Sequence, residues 1–411
     1  MNSIVLSNRG DRPTGTAAVG AAAQAPGPRL VRWFRRHRRE LPWRRRPDPF
    51  RIWVSEVLLQ QTRVAQAAPY YERFVARFPT VRALAAARRQ DVLKVWEGAG
   101  YYGRAHRLHD AARRVVAQHR GVVPRTEREL LELPGVGPYV AAAIASLAFG
   151  APVVALEANG RRVAARVFGE RGDVRTAPVA RRLVHRLTEW LPADSAGPFN
   201  EALMELGETV CTPRHPNCPV CPLRAECWAY RVLPDPSVLP ERAPPRRVPR
   251  VTAAVVVIER DGRWLIRRRP RVGLLPGLWE FPGGKPRQGE ALARAARREV
   301  REETGLRLGR LVRVGVVDHR YSHFSVSLHV FRARADGRAR PERPSAPLRW
   351  VRPEEFGRIP RPAATARIAE LLSVTGTVSR GSGSRPGHRT ASPRRARRRS
   401  GPRAPARSPI A

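Results

Sequence analysis

Six prolines between Pro234 and Arg250 (PDPSVLPERAPPRRVPR) fix φ and remove backbone donors, so neither a helix nor a central strand can run through this stretch. Residues 232–250 therefore read as an extended linker. The hydrophobic period changes across it. From residue 29 to 231 helical patterns follow one another, whereas Val251–Ile258, Trp264–Arg268, Val312–Val317 and Ser325–Phe331 read as strands around a charged helix, Glu290–Thr304. The chain is predicted to be multidomain: an all-α domain over 29–231 and an α+β domain over 251–372. Its 411 residues exceed what one core usually holds. Residues 1–28 read as a disordered leader and 373–411 as a disordered Arg-rich tail. No run of 18 apolar residues and no secretory pattern occurs, so the expectation is a cytoplasmic, nucleoid-associated monomer that is neither secreted nor membrane-bound.

Charge narrows the partner. There are 77 Lys plus Arg against 35 Asp plus Glu, a net +42, and every base except Lys94 and Lys285 is arginine. Ten of those arginines follow Gly376, which leaves +32 on the rest. A high-GC genome accounts for Arg over Lys but not for the excess of bases over acids. Nucleic acid is the natural polyanionic partner.

All four cysteines, Cys211, Cys218, Cys221 and Cys227, lie within 17 residues, spaced C-x6-C-x2-C-x5-C. Confinement to one loop points to one four-coordinate site, and a reducing compartment disfavours two disulfides. Four thiolates suit either zinc or an iron–sulfur cluster.

Thr126-x-x-Glu129 is a capping box opening a short helix. Leu133-Pro-Gly135-Val-Gly137 then makes a tight turn, and Pro138 is placed to start a second helix, over 126–149 in all. Such a helix-hairpin-helix lets Gly135 and Gly137 approach a DNA phosphate without reading bases. Upstream, Glu56, Gln60 and Arg63 share one face of a helix whose other faces are apolar. A carboxyl set among Val54, Val57 and Leu59 should have a raised pKa, which suits a general acid.

Six segments in order, LPW (41–43), SEVLLQQTR (55–63), WEGAGYYGRAHRLHDAA (96–112), LPGVGPY (133–139), GPFNEALMELG (197–207) and the cysteine loop, resemble adenine DNA glycosylases of the MutY type, within the endonuclease III superfamily. The resemblance covers roughly residues 29–230. It implies a [4Fe–4S] cluster on the four cysteines, a double-stranded DNA substrate carrying A:8-oxoguanine or A:G mispairs, and hydrolytic removal of the adenine. It also implies that Glu56 protonates the adenine, that Tyr139, Glu201 and Arg44 border the adenine pocket, and that Gln61 and Tyr102 probe the opened duplex. Adenine is a poor leaving anion, so an acid must protonate a ring nitrogen as the bond breaks, and a second carboxylate should stabilise the cationic sugar. The base must first leave the stack.

Two departures stand out. The family's LDGN stretch reads Leu156-Glu157-Ala158-Asn159 here, so Glu157, one methylene longer, takes the place of the second carboxylate beside Asn159. A displacement of about 1 Å can cost on the order of 10²-fold in rate. In the second domain, Gly284-x5-Glu290-x7-Arg298-Glu299-Val300-x-Glu302-Glu303-x-Gly305-Leu306 is a complete Nudix box, usually eroded in this family, and it follows a MutT-like LWEFPGGK. Glu299, Glu302 and Glu303 share a helical face and are expected to hold Mg²⁺. Tyr321-Ser322-His323 resembles the Phe-Ser-His loop that recognises 8-oxoguanine.

Three other readings compete. A bifunctional glycosylase/lyase needs a lysine just after the hairpin, and Pro138-Tyr139 stands there instead. A Nudix hydrolase of oxidised nucleotides such as 8-oxo-dGTP, alone or as a second activity, is kept open by the intact box. A non-catalytic DNA-binding relic is suggested only by Glu157.

Overall fold

The computed structural model describes residues 25–241, 248–270, 273–321, 324–336 and 346–378. The first part is helical: α1 (Pro26–His37), α2 (Pro42–Arg45), α3 (Pro49–Leu59), α4 (Val64–Arg77), α5 (Val81–Ala86), α6 (Arg89–Val95), α7 (Gly103–Gln118), α8 (Glu127–Leu131), α9 (Pro138–Phe149), α10 (Ala158–Phe168), α11 (Ala177–Thr188), α12 (Ala196–Thr209) and α13 (Trp228–Val232). Among the described residues no helix is long and apolar enough to cross a membrane.

These helices build two cores. Trp53, Phe74, Trp96 and Ile144 lie in one, formed by α2–α9. Leu30, Phe34, Val163, Phe199 and Leu203 lie in the other, formed by α1 and α10–α13. The fully buried Asn200 joins them: it donates to Ser146 Oγ (2.8 Å) and Val153 O (2.9 Å) and accepts from Ala155 N (2.9 Å). Both its donors and its carbonyl oxygen are thus used to tie α9 and the loop that leads into α10 to α12.

The expected linker is not extended throughout. Pro236–Val238 forms a 3-10 turn, and Leu239 is buried in the second core, where its carbonyl accepts from Arg166 Nε (2.8 Å). A buried apolar side chain and a buried guanidinium tie this end of the segment down; residues 242–247 lie outside the described residues. Likewise α1 begins inside the expected leader, where Gly27 packs so closely on Trp190 O that a Cβ would overlap it.

The second part is a mixed sheet of β1 (Arg250–Arg260), β2 (Arg263–Arg268), β3 (Trp279–Glu280), β4 (Gly283–Gly284), β5 (Arg307–Leu308), β6 (Val312–Arg320), β7 (Ser325–Asp336) and β8 (Leu348–Val351). β1 and β7 pair in parallel at its centre, and β2, β4 and β6 add antiparallel. The unbroken apolar run of β1 is explained by helices on both faces. Ala254, Val256 and Ile258 meet α14 (Leu292–Thr304) through Ala295, Ala296 and Val300. Val255 and Val257 face Phe356 on α15 (Pro353–Phe356) and Ile368 and Leu372 on α16 (Ala363–Val378).

The two parts are joined by direct contact. Leu278, fully buried, belongs to the first helical core. Gln90 donates to Gly277 O and accepts from Trp279 Nε1, each at 3.0 Å, and Lys94 Nζ donates to Gly357 O (2.7 Å). The MutT-like segment is therefore an anchor onto α6 as well as the approach to the Nudix box.

Candidate active site

A cavity of about 860 Å³ opens between the two helical cores, lined by α2, α3, α9, the loop before α10, and α12. It gathers Arg44, Glu56, Gln61, Tyr139, Glu157, Asn159 and Glu201, seven of the residues singled out from sequence.

Glu56 sits on α3, a helix started by Asp48, which accepts from Phe50 N (3.0 Å) and Arg51 N (3.1 Å), with Pro49 at its first position. Almost every neighbour on α3 is buried, and Glu56 itself is only 5% exposed. Burial pushes its pKa up to about 7; the Tyr139 hydroxyl, donating to Oε2, opposes this, and Glu157 and Glu201 add to it. Tyr139, at the start of α9, is held well above the ordinary tyrosine value by burial beside these carboxylates, so it stays a donor.

Glu157 caps α10. Its two oxygens accept from Asn159 N (2.6 Å) and Gly160 N (2.7 Å), the free amides of the first turn. Burial raises its pKa and these amides oppose the rise. Asn159 packs on Gly207, where a Cβ would overlap it, donates to Glu208 Oε2 (3.2 Å) and accepts from Arg162 (2.8 Å). Arg162 also donates to Gly207 O (2.7 Å) and Cys211 O (2.9 Å), tying the site to the cysteine loop.

Opposite, Arg44 bonds Glu201 Oε1 (2.7 Å) and Glu205 Oε2 (3.1 Å), with its guanidinium 5.0 Å from the Phe34 ring centre. Burial pushes Glu205 up, but Arg39 and Arg44 outweigh it and hold the carboxyl below the usual range. Glu205 was not singled out from sequence, although it lies four residues after Glu201 on the same face of α12.

The hairpin forms as expected. The capping box at Thr126 and Glu129 is present. Gly135 has φ +80 and lies against Arg107, so both conformation and space demand glycine. Gly137 has an ordinary φ and nothing within 4 Å of where a Cβ would be.

The structure places one residue expected to probe the duplex inside the fold: Tyr102 is only 5% exposed, its hydroxyl donates to Arg361 O (3.3 Å), and burial raises its pKa. Tyr101 beside it is 40% exposed, with φ +46. The pattern was present in the sequence: Tyr102, Ala105, His109 and Ala112 continue the buried stripe of α7.

The four cysteines line one pocket, and none forms a disulfide. Arg166, 1% exposed, organises the loop by donating to Thr212 O (2.7 Å), Pro213 O (3.1 Å) and Cys211 Sγ (3.3 Å). In the second domain Glu303 pairs with Arg267 and accepts from Gly283 N (3.0 Å), Arg298 bonds Glu290 and Glu299 (2.8 Å each), and Arg287 approaches Glu302 (3.4 Å). Each of the three carboxylates expected to hold Mg²⁺, Glu299, Glu302 and Glu303, thus has an arginine partner, and among the described residues no group of three or more His, Cys, Asp or Glu is arranged around a single metal-ion position. Tyr321 lies in the β6–β7 turn between His319 and Phe324 and does not line the Glu56 cavity; Ser322 and His323 lie outside the described residues.

Comparison with known proteins agrees with this geometry. Residues 54–193 match the HhH-GPD superfamily of base excision DNA repair proteins, and residues 253–371 match the NUDIX domain. The chain is similar to the adenine DNA glycosylase of Homo sapiens, 34% identical over 382 residues, 80% of this chain and 70% of that one. It is 41% identical over 211 residues to the adenine DNA glycosylase of Mycolicibacterium smegmatis, covering 51% of this chain and 71% of the relative. A solved thermostable thymine-DNA glycosylase is similar at 29% identity over 52% of this chain and 99% of that chain, with a TM-score of 0.47. Buried acid, hairpin and Nudix-like domain thus occur together, in that order, in a chain that belongs to the adenine DNA glycosylase family and hydrolyses N-glycosidic bonds in DNA.

Proposed function

We propose that the chain removes adenine mispaired with 8-oxoguanine or G from double-stranded DNA by acid-assisted hydrolysis. The observation that carries this reading is Glu56, a buried carboxyl at the floor of the cavity with its pKa at about 7. A donor near neutrality is protonated often enough to act and acidic enough to give up its proton. Because Oε2 accepts from Tyr139, Oε1 is left to carry the transferable proton. Glu56 gives that proton to an adenine ring nitrogen as the C1′–N9 bond breaks. Glu157, with Asn159 behind it, faces the positive charge that develops on the sugar. Water then adds to C1′, returns a proton to Glu56, and leaves free adenine and an abasic site. Arg44, held by Glu205, orients Glu201 toward the extruded base.

On the DNA side, the open space at Gly137 suits the close approach of a phosphate to the start of α9, and the exposed Gln61 and Tyr101 suit the gap left by the extruded base. Tyr321, with Ser322 and His323, is read as the lesion-facing loop. The arginine pairing of Glu299, Glu302 and Glu303 favours a recognition domain over a second hydrolase.

Cys211, Cys218, Cys221 and Cys227 fit a [4Fe–4S] cluster. They are four unpaired thiols around one pocket, and the buried Arg166 donates to the Cys211 sulfur, as an anionic group there would require. Such a cluster supplies a cross-link that fixes the loop and takes no part in bond cleavage. The reading is tested by the release of adenine from an A:8-oxoguanine duplex, beside an identical C:8-oxoguanine duplex that should yield nothing.

A further inference from the structure

Gln61 and Tyr101 both hold a left-handed backbone, φ +59 and +46, which side chains other than glycine rarely adopt, and both are exposed. They lie on different turns, α3–α4 and α6–α7. Arg104 lies behind both. It is 5% exposed and donates to Val57 O (2.7 Å), Leu58 O (2.8 Å), Gln60 O (2.5 Å) and Thr62 Oγ1 (3.2 Å) on the first turn, and to Ala99 O (3.1 Å) and Gly100 O (3.5 Å) on the second. These bonds grip the residue immediately before Gln61 and the residue immediately before Tyr101. The guanidinium also stands 5.2 Å from the centre of the Tyr101 ring. None of its partners is a carboxylate. A guanidinium buried against neutral acceptors is costly to desolvate, so simple stabilisation is a poor explanation for it. The two terminal nitrogens of a planar guanidinium are what span the two turns: Nη1 donates only to the first turn and Nη2 to both, while Nε is left without a partner.

The geometry points to Arg104 as a positioning residue that fuses the two turns into one rigid wedge, so that Gln61 and Tyr101 enter the duplex together and open the adenine's place in the stack. The inference rests on the glycosylase reading above. Arg104 touches no substrate and acts only through the turns it holds.

The test compares the full-length protein with Arg104→Lys, whose single ammonium keeps the charge but cannot bridge both turns. Single-turnover adenine release is measured on an A:G duplex and on the same duplex with a three-carbon abasic spacer opposite the adenine, which is already poorly stacked. Arg104→Lys should lose about 10²-fold on A:G and only about threefold on the spacer duplex, since a misplaced group matters in the step it positions. With 2-aminopurine at the target position, the fluorescence rise on binding should shrink in the variant. Equal losses on both duplexes with an unchanged fluorescence rise would overturn the inference. Thr62→Val, which deletes one acceptor, should show the same split at smaller size. It decides the matter if circular dichroism shows Arg104→Lys unfolded, and equal losses there would count equally against the wedge. If the wild type releases adenine from neither duplex, the glycosylase reading fails, and the 2-aminopurine comparison still decides the role of Arg104.

Discussion

Tyr139 donates its hydroxyl to Oε2 of Glu56 across the junction of α9 and α3, so the residue after the hairpin's proline also orients the buried acid. One short segment therefore serves two ends: Gly137 faces outward, and Tyr139 faces the cavity floor. Movement of the hairpin on DNA would be felt directly at the carboxyl.

Burial of Glu56 has a signed consequence for stability. Its pKa rises from 4.5 unfolded to about 7 folded, so between those values the native state binds more protons than the unfolded one. Stability attributable to this group is full below pH 4.5 and falls as pH rises through 7. Glu56→Gln mimics the protonated form. It should raise stability by roughly 2–3 kcal/mol at pH 8 and leave it nearly unchanged at pH 4.5, as read by denaturant melts at the two values.

Glu157 accepts two amide bonds of 2.6 and 2.7 Å from the first turn of α10, so the local backbone meets the longer side chain with good cap geometry. Glu157→Asp should therefore slow single-turnover adenine release by up to about 10²-fold, because the carboxylate is withdrawn by about 1 Å. A faster variant would mean that Glu holds the charge out of place.

The two hairpin glycines separate folding from binding. Gly135→Ala should destabilise by about 1–2 kcal/mol through its left-handed φ, besides meeting Arg107. Gly137→Ala should stay within about 0.5 kcal/mol of wild type in melting, yet weaken duplex binding about tenfold in fluorescence anisotropy, since its Cβ would meet only an approaching phosphate.

The isolated protein should be brown and carry about four irons per chain by elemental analysis, as one [4Fe–4S] cluster requires. Chelation of that iron should loosen the Arg166-centred loop and expose residues 211–227 to protease. Stoichiometric zinc without iron would contradict the assignment.

What could be read from sequence is what local spacing encodes. The capping box, the LPGVG turn, the cysteine spacing and the Nudix box each lie within a short stretch, and the structure forms the hairpin and the box helix where spacing places them. The Glu56 cavity was legible through one carboxyl on an otherwise apolar helix, although that helix ends at Leu59, so Arg63, which caps the next helix, does not share its face as the spacing suggested. Arg104 and Arg166 were not, because nothing local marks a buried arginine: Arg104 bonds Val57, 47 residues away, and Arg166 bonds Leu239, 73 residues away. The pairing of Glu303 with Arg267 was hidden in the same way, since strand β2 and helix α14 meet only in the folded sheet. Tyr101 and Tyr102 could have been told apart by the α7 stripe alone.

The central claim is that Glu56 is the proton donor, and single-turnover adenine release from an A:8-oxoguanine duplex, measured against pH for wild type and Glu56→Gln, tests it most directly. The account predicts a wild-type rate that falls above about pH 7, as the donor deprotonates, and release by the variant reduced at least ~10³-fold with duplex binding intact. Near-normal release by Glu56→Gln, or a wild-type rate that rises through pH 7, would contradict it.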